Sequence, residues 1–164
     1  MSEEESFWVL IRMIRDYDME GLFLPGFPGL QKKFFMLRKF LEARQPDIVA
    51  HFDKEGLMPD IYAMQWFQML FSYNFPFALV LRIWDVFLAE KSWKVIFRVA
   101  LHIIVSDKDK LLSSTFENLA GRLKSANDRL LKVDPDKFMT AVNKVALTSR
   151  EIDAAAAEYE REFG

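Results

Sequence analysis

Phe75-Pro-Phe-Ala-Leu-Val-Leu-Arg-Ile-Trp-Asp-Val-Phe-Leu-Ala-Glu90 is the stretch on which the fold turns. From Phe77 to Ala89 it is apolar over nearly its whole circumference, with Arg82 and Asp85 three apart on one narrow polar stripe. Two similar patterns flank it. Ile61 to Phe71 carries only Gln65 and Gln68 as its wet stripe, and Trp93 to Val105 carries Lys94, Arg98 and His102. Helices that are apolar almost all round belong inside a larger protein or in a membrane, and Arg82 and Asp85 hold the longest apolar run well below the roughly 20 residues a span requires. The three segments are therefore expected to form the buried middle layer of an all-α domain, with Arg82 and Asp85 in structural ion pairs or caps.

Outward from that block the chain continues to read as helix. Ser2 and Glu5 stand at capping-box spacing before an amphipathic run with Phe7, Leu10, Ile11 and Ile14 on its apolar face. A core-facing Phe7-Trp8 pair in the first turn suggests that something preceding Met1 covers this end. Gly21 to Leu30 breaks the pattern with two prolines and three glycines yet holds five large apolar residues. The preferred reading is a loop whose Phe23 and Phe27 plug the core; the other is a loop that touches a partner. Lys32 to Arg44 is amphipathic, with Phe34, Leu37, Phe40 and Leu41 inside and Lys32, Lys33, Arg38, Lys39 and Arg44 as a basic outer face. That face is either solvated or, through Lys32, Lys33 and Lys39, a surface for a partner or for lipid headgroups.

Pro46 to Glu55 reads as a short helix ended by Gly56, and Asn74-Phe-Pro76 as a sharp break. Past Val105 the helices need only one covered face: Ser114 with Glu117 as a capping box, Asp134-Pro135 as N-cap and first turn, and Thr148 with Glu151 opening an acidic last helix. No strand alternation, repeat or linker interrupts residues 1–164, which read as one unit of about eight to nine helices.

Composition narrows the chemistry. The 164 residues are 51% hydrophobic and 15% aromatic, ample for a core. A net charge of -2 supplies no field for nucleic acid, so none is expected as a partner. With no cysteine the chain has no disulfide or thiolate ligand, which suits a reducing, cytoplasmic setting. None of the six glycines opens a phosphate loop, and His51 and His102 stand in no metal-ligand or nucleophile pattern. No cofactor, metal or catalytic residue is expected, and on residue chemistry alone the chain is not an enzyme but a helical interaction domain.

Tyr62-Ala-Met-Gln-Trp-Phe-Gln-Met-Leu-Phe71, Phe75-Pro76, Leu81-Arg-Ile-Trp-Asp-Val-Phe87 and Phe97-Arg-Val-Ala-Leu101 closely resemble the C-terminal half of the TBC domain, the helical domain of GTPase-activating proteins for Rab GTPases. Glu4-Glu-Ser-Phe-Trp8, Leu37 and Pro46 to His51 fall in line with it, so the resemblance spans residues 3–105, and residues 134–147 within the closing helices of 114–164 are similar to the family's last helix. Trp66, Phe71, Pro76, Arg82, Trp84 and Asp85 carry the structural signature, with Trp84 expected in the core. Lys91 departs from it, since the family often has a glycine there.

The resemblance implies a Rab-type small GTPase as partner of the complete domain, with peripheral endomembrane association as a further expectation. It also implies two side chains inserted into the GTPase's site, an arginine from I-x-x-D-x-x-R and a glutamine from Y-x-Q. Neither motif occurs here. Tyr62-Ala-Met-Gln65 has one residue too many, so Gln65 and Arg82 are not assigned these roles. The chain is expected to be a fragment of a longer domain, acting as scaffold and GTPase-binding surface. A stand-alone helical adaptor for a GTPase, a protein or an anionic membrane is the alternative.

Overall fold

Several helix ends are set by single side chains. Ser2 accepts from the Glu5 backbone N–H at 3.2 Å while Glu5 accepts from that of Ser2 at 2.7 Å, and Thr148 with Glu151 repeats the device at 3.2 and 2.8 Å. Asp134 caps by accepting from the Lys137 N–H at 2.9 Å. The box expected at Ser114 and Glu117 does not form. Thr115 holds the N-cap position there, and the Phe116 N–H donates instead to Glu55 at 3.1 Å, so a carboxylate from a distant helix satisfies that end.

The computed structural model describes residues 2–73, 75–125 and 129–164, and all regular structure among them is helical. In chain order it comprises α1 (Glu3–Asp16), a 3-10 turn (Glu20–Leu22), α2 (Pro28–Arg44), α3 (Pro46–Glu55), α4 (Pro59–Gln68), α5 (Phe77–Glu90), α6 (Lys94–Ser106), α7 (Lys108–Leu112), α8 (Phe116–Lys124), α9 (Pro135–Asn143) and α10 (Ser149–Phe163). Asn74, the first residue of the expected break, lies outside the described residues; Pro76 is the N-cap of α5.

The middle of the molecule is α6, which buries Val95, Ile96, Phe97, Val99, Ala100, Leu101, Ile103 and Ile104 and touches α2, α4, α5, α7 and α9. Phe97 stands edge-on to Phe40 at 5.1 Å and tilted against Phe67 at 5.2 Å, joining α6 to α2 and α4. Helix α2 is the second hub, packed on the 3-10 turn, α3, α4, α6 and α10. It was expected to be one-sided. Its supposed wet flank is instead covered, and Lys33 is only 3% exposed, its ammonium 3.1 Å from Asp18 and 4.3 Å from the centre of the Trp93 ring. Burial pulls the Lys33 pKa down while the Asp18 carboxylate acts to raise it.

Helix α5 differs from its expected place in a buried layer. It buries one stripe, Leu79, Val80, Ile83 and Phe87, and leaves Phe77 75% exposed, with Leu81 and Leu88 also in solvent. Apolar content along the whole circumference records what a helix can bury, not what this chain supplies to cover it.

The pattern from Ile61 to Phe71 likewise stops early, at Gln68. Leu70 and Phe71 take left-handed backbone, with φ of 46° and 64°, a conformation that costs a side-chain-bearing residue roughly 1 to 2 kcal/mol. Burial of both side chains and a 3.0 Å hydrogen bond from the Trp84 indole N–H to the Leu70 carbonyl hold the turn. Lys91 ends α5 in the same region, at φ 48°. The chain therefore makes the turn for which a glycine would be suited, but with a Cβ in it. Lys91→Gly should raise the denaturant midpoint by roughly 1 kcal/mol of stability at unchanged slope; a lower midpoint would mean that the Lys91 side chain contributes more than its backbone costs.

Candidate functional site

Helix α1 is the least embedded of the long helices. Met13 is its one buried residue, while Phe7, Trp8, Val9 and Leu10 stand in solvent, Trp8 at 58% and Leu10 at 51% exposure. Its C-terminal end is tied down by Tyr17, whose hydroxyl donates to the Leu88 carbonyl at 3.1 Å and whose carbonyl accepts from the Trp93 indole at 2.7 Å. The following loop does not plug the core. Phe23, Leu24 and Phe27 are exposed, and Leu22 and Leu30 at its two ends are the residues that enter the core; there the loop is pinched shut, Gly21 and Gly29 touching backbone to backbone, so that a Cβ on Gly29 would come 2.6 Å from the Gly21 carbonyl carbon.

Between α1 and the turn after α4 runs a cleft of about 580 Å³, lined by Val9, Leu10, Met13, Met19, Phe23, Met69, Leu70 and Trp84. Trp84 also lines a second cavity of about 420 Å³ with Phe75, Phe77, Val80 and Leu81. The two hollows share Ser72 and Trp84, so α1, the loop and the outer side of α5 form one apolar face. Exposed apolar side chains gathered on one side of a molecule are the kind of surface that a partner or another segment covers.

Apart from Pro76, the N-cap of α5, the signature residues fall into three groups. Trp66 and Phe71 are buried, 5.8 Å apart ring to ring, within the core. Trp84 is half-buried and borders the apolar face, not the core centre. Arg82 and Asp85 lie outside, 3.9 Å apart, and Arg82 reaches Asp136 of α9 at 3.1 Å, an exposed pairing across two helices. Of the three lysines, Lys33 is buried, whereas Lys32 and Lys39 face α10, bonded to Glu160 at 2.8 Å and Glu158 at 2.9 Å.

Little here could carry reaction chemistry by itself. Tyr62 is buried in α4, and burial pushes its phenol well above the usual range. A His51 ring nitrogen hydrogen-bonds the Ser114 carbonyl at 2.9 Å. His102 stands edge-on to Phe138 at 5.2 Å, and burial lowers its pKa. Asp107 is held by Arg122 at 2.7 Å and by Arg129; burial would raise its pKa, but these guanidinium groups outweigh it and hold the carboxyl low. Among the described residues no metal-ligand cluster occurs, and no helix is long and apolar enough to cross a membrane. The exposed apolar residues of α5 escaped the sequence reading because periodicity assigns them to a buried face and gives no sign of whose face covers them.

Comparison with known proteins identifies the arrangement. A family model described as the Rab-GTPase-TBC domain matches residues 1–112. The GTPase-activating protein GYP5 of Saccharomyces cerevisiae is 33% identical over 123 residues, 75% of this chain and 14% of that protein. The Ecotropic viral integration site 5 protein homolog of Homo sapiens is 26% identical over 97% of this chain and 20% of its own length. The Rab GTPase-activating protein tbc-11 of Caenorhabditis elegans is 32% identical over 93% of this chain and 15% of its own length. In structure, the Ypt/Rab-GAP domain of Gyp1p superposes with a TM-score of 0.76 at 18% identity, covering 94% of this chain and 45% of that one.

The chain thus spans a fifth or less of the length of these relatives. The expectation that it is not an enzyme is corrected by this finding: relatives of the chain are named GTPase-activating proteins, so the family it matches is one of GTPase activation rather than plainly non-enzymatic. A search for a nucleophile, base or phosphate loop inside one chain misses such proteins, because an activator completes a site that belongs to its partner. All-helical architecture, the match over residues 1–112 and the superposition agree: the chain belongs to the Rab-GTPase-TBC domain family.

Proposed function

We propose that the chain takes part in stimulating GTP hydrolysis by a Rab-type small GTPase, as the supporting and GTPase-contacting part of a TBC domain. The observation that carries this is the apolar face of α1, the 23–27 loop and α5, on a chain that covers 45% of the Gyp1p domain. A scaffold for the rest of such a domain needs a face of this kind. In this reading an arginine, which neutralises charge developing on the transferred phosphoryl group, and a glutamine, which orients the attacking water, act from a different segment of the domain. Neither I-x-x-D-x-x-R nor Y-x-Q is present in the sequence, and the stretch that approaches Y-x-Q, Tyr62 to Gln65, has its tyrosine locked in the core. No specific observation favours a stand-alone adaptor.

The test is single-turnover GTP hydrolysis by a set of Rab-type GTPases, with this chain alone and with it joined through α1 to the part of the Gyp1p Ypt/Rab-GAP domain that it does not cover. Stimulation by the joined protein and not by the chain alone is the expected result. Full stimulation by the 164 residues alone would show that the acting side chains are among them.

A further inference from the structure

Helix α10 sits at the edge of the fold. It packs chiefly on one element, α2, and Ala155 is its one buried residue. Ile152 and Ala156 pack beside Ala155 against the core, and the rest of the attachment is charge and three rings. Glu160 pairs with Lys32 at 2.8 Å, Glu158 with Lys39 at 2.9 Å, and Glu151 with Arg44, all partly open to solvent. Phe35 of α2 meets Tyr159 at 5.5 Å and Phe163 at 5.9 Å, the two rings standing four residues apart on α10. Pairs of this exposure hold weakly and are screened by salt.

Just before α10 the chain is anchored. Leu147 is fully buried and its carbonyl accepts from Arg98 at 2.9 Å, so α10 can leave at Thr148 while α9 stays in place. The contact is also imperfectly filled. A cavity of about 420 Å³ lies beneath the C-terminal turn of α10, bounded by Phe34, Phe35, Arg38, Met58, Tyr159 and Phe163. An occupant with bulkier side chains at that end would bury more apolar surface than α10 does.

We infer that α10 is a releasable strap over a helix-binding groove on α2, and that the groove takes an acidic amphipathic helix with aromatic residues four apart from a protein partner. Lys32, Lys39 and Arg44 recognise the carboxylates, and Phe35 with the adjoining cavity receives the rings. Charge complementarity selects this occupant, since the one ligand the groove is seen to hold is a helix of that composition. The strap keeps the groove closed until a better-fitting helix displaces it, and the displacement does not require the apolar face around α1.

The probe is a fluorescent peptide of residues 148–164, titrated onto the full 164-residue chain at low salt. Glu158→Lys with Glu160→Lys should free α10 and bind the peptide at least about tenfold tighter than the unaltered chain. Adding Lys32→Glu and Lys39→Glu should abolish that binding and restore protection of the 149–163 amides from hydrogen exchange, because the reversed pairs re-close the strap. In the unaltered chain, raising salt should speed exchange at 149–163 while leaving α2 and α6 protected. Peptide binding no tighter in the opened chain, salt-independent exchange of α10, or binding of phosphatidylserine vesicles in place of the peptide would each overturn the inference.

Discussion

Trp8→Asp combined with Leu10→Asp should leave the 164-residue chain as helical and as heat-stable as before, yet abolish GTPase stimulation once the chain is joined to an N-terminal TBC half. Both side chains are more than half exposed, so the chain alone loses almost nothing; surface changes of this kind usually stay within about 0.5 kcal/mol. In the joined domain the same positions would lie against apolar surface, where an unpaired carboxylate costs several kcal/mol on burial. Two such charges exceed what an internal seam between two halves can absorb. On the proposed function, loss of the seam would separate the arginine and glutamine from the surface that positions them, and the stimulation, about 10³ to 10⁵ in rate for an arginine of this kind, would go with it. Hydrolysis rate and melting temperature are read on the same preparations. Full activity in the joined double variant would remove α1 from the seam and leave its exposed rings unexplained.

The fold was legible where a local rule and the packing agree. Ser2-Glu5, Asp134-Pro135 and Thr148-Glu151 open helices as their spacing requires, because each cap involves residues three apart. Ser114-Glu117 failed for the complementary reason: Glu55, 61 residues away from Phe116, reaches the helix end first, and no local pattern contains that contact. The early end of α4 was hidden too, since Leu70 and Phe71 are apolar residues in left-handed backbone that only their burial sustains. The basic stripe of α2 looked wet because periodicity marks charge as outward. Lys33 is instead drawn inward by Asp18 and Trp93, and Lys32 and Lys39 face an acidic helix more than a hundred residues later. The candidate site was the least legible part, because an exposed apolar face and a core face are written in the same residues.

The division between α6 and α5 can be measured directly. Phe97→Ala should destabilise the chain by about 3 to 5 kcal/mol, lowering the melting temperature by roughly 6 to 20 °C. Phe97 is fully buried and joins three helices through Phe40 and Phe67, so the vacated volume has walls on every side and cannot collapse without moving α2, α4 or α6. Trp84→Ala removes a larger side chain but should cost less, about 1 to 2 kcal/mol, since Trp84 borders two open hollows and loses a single hydrogen bond to Leu70. Size alone ranks the two substitutions the other way. Urea midpoints for both variants at equal slope decide between the rankings. A Trp84→Ala loss equal to or above that of Phe97→Ala would put α5 back at the centre of the core, and with it the reading in which the apolar circumference of residues 77–89 is buried by this chain itself.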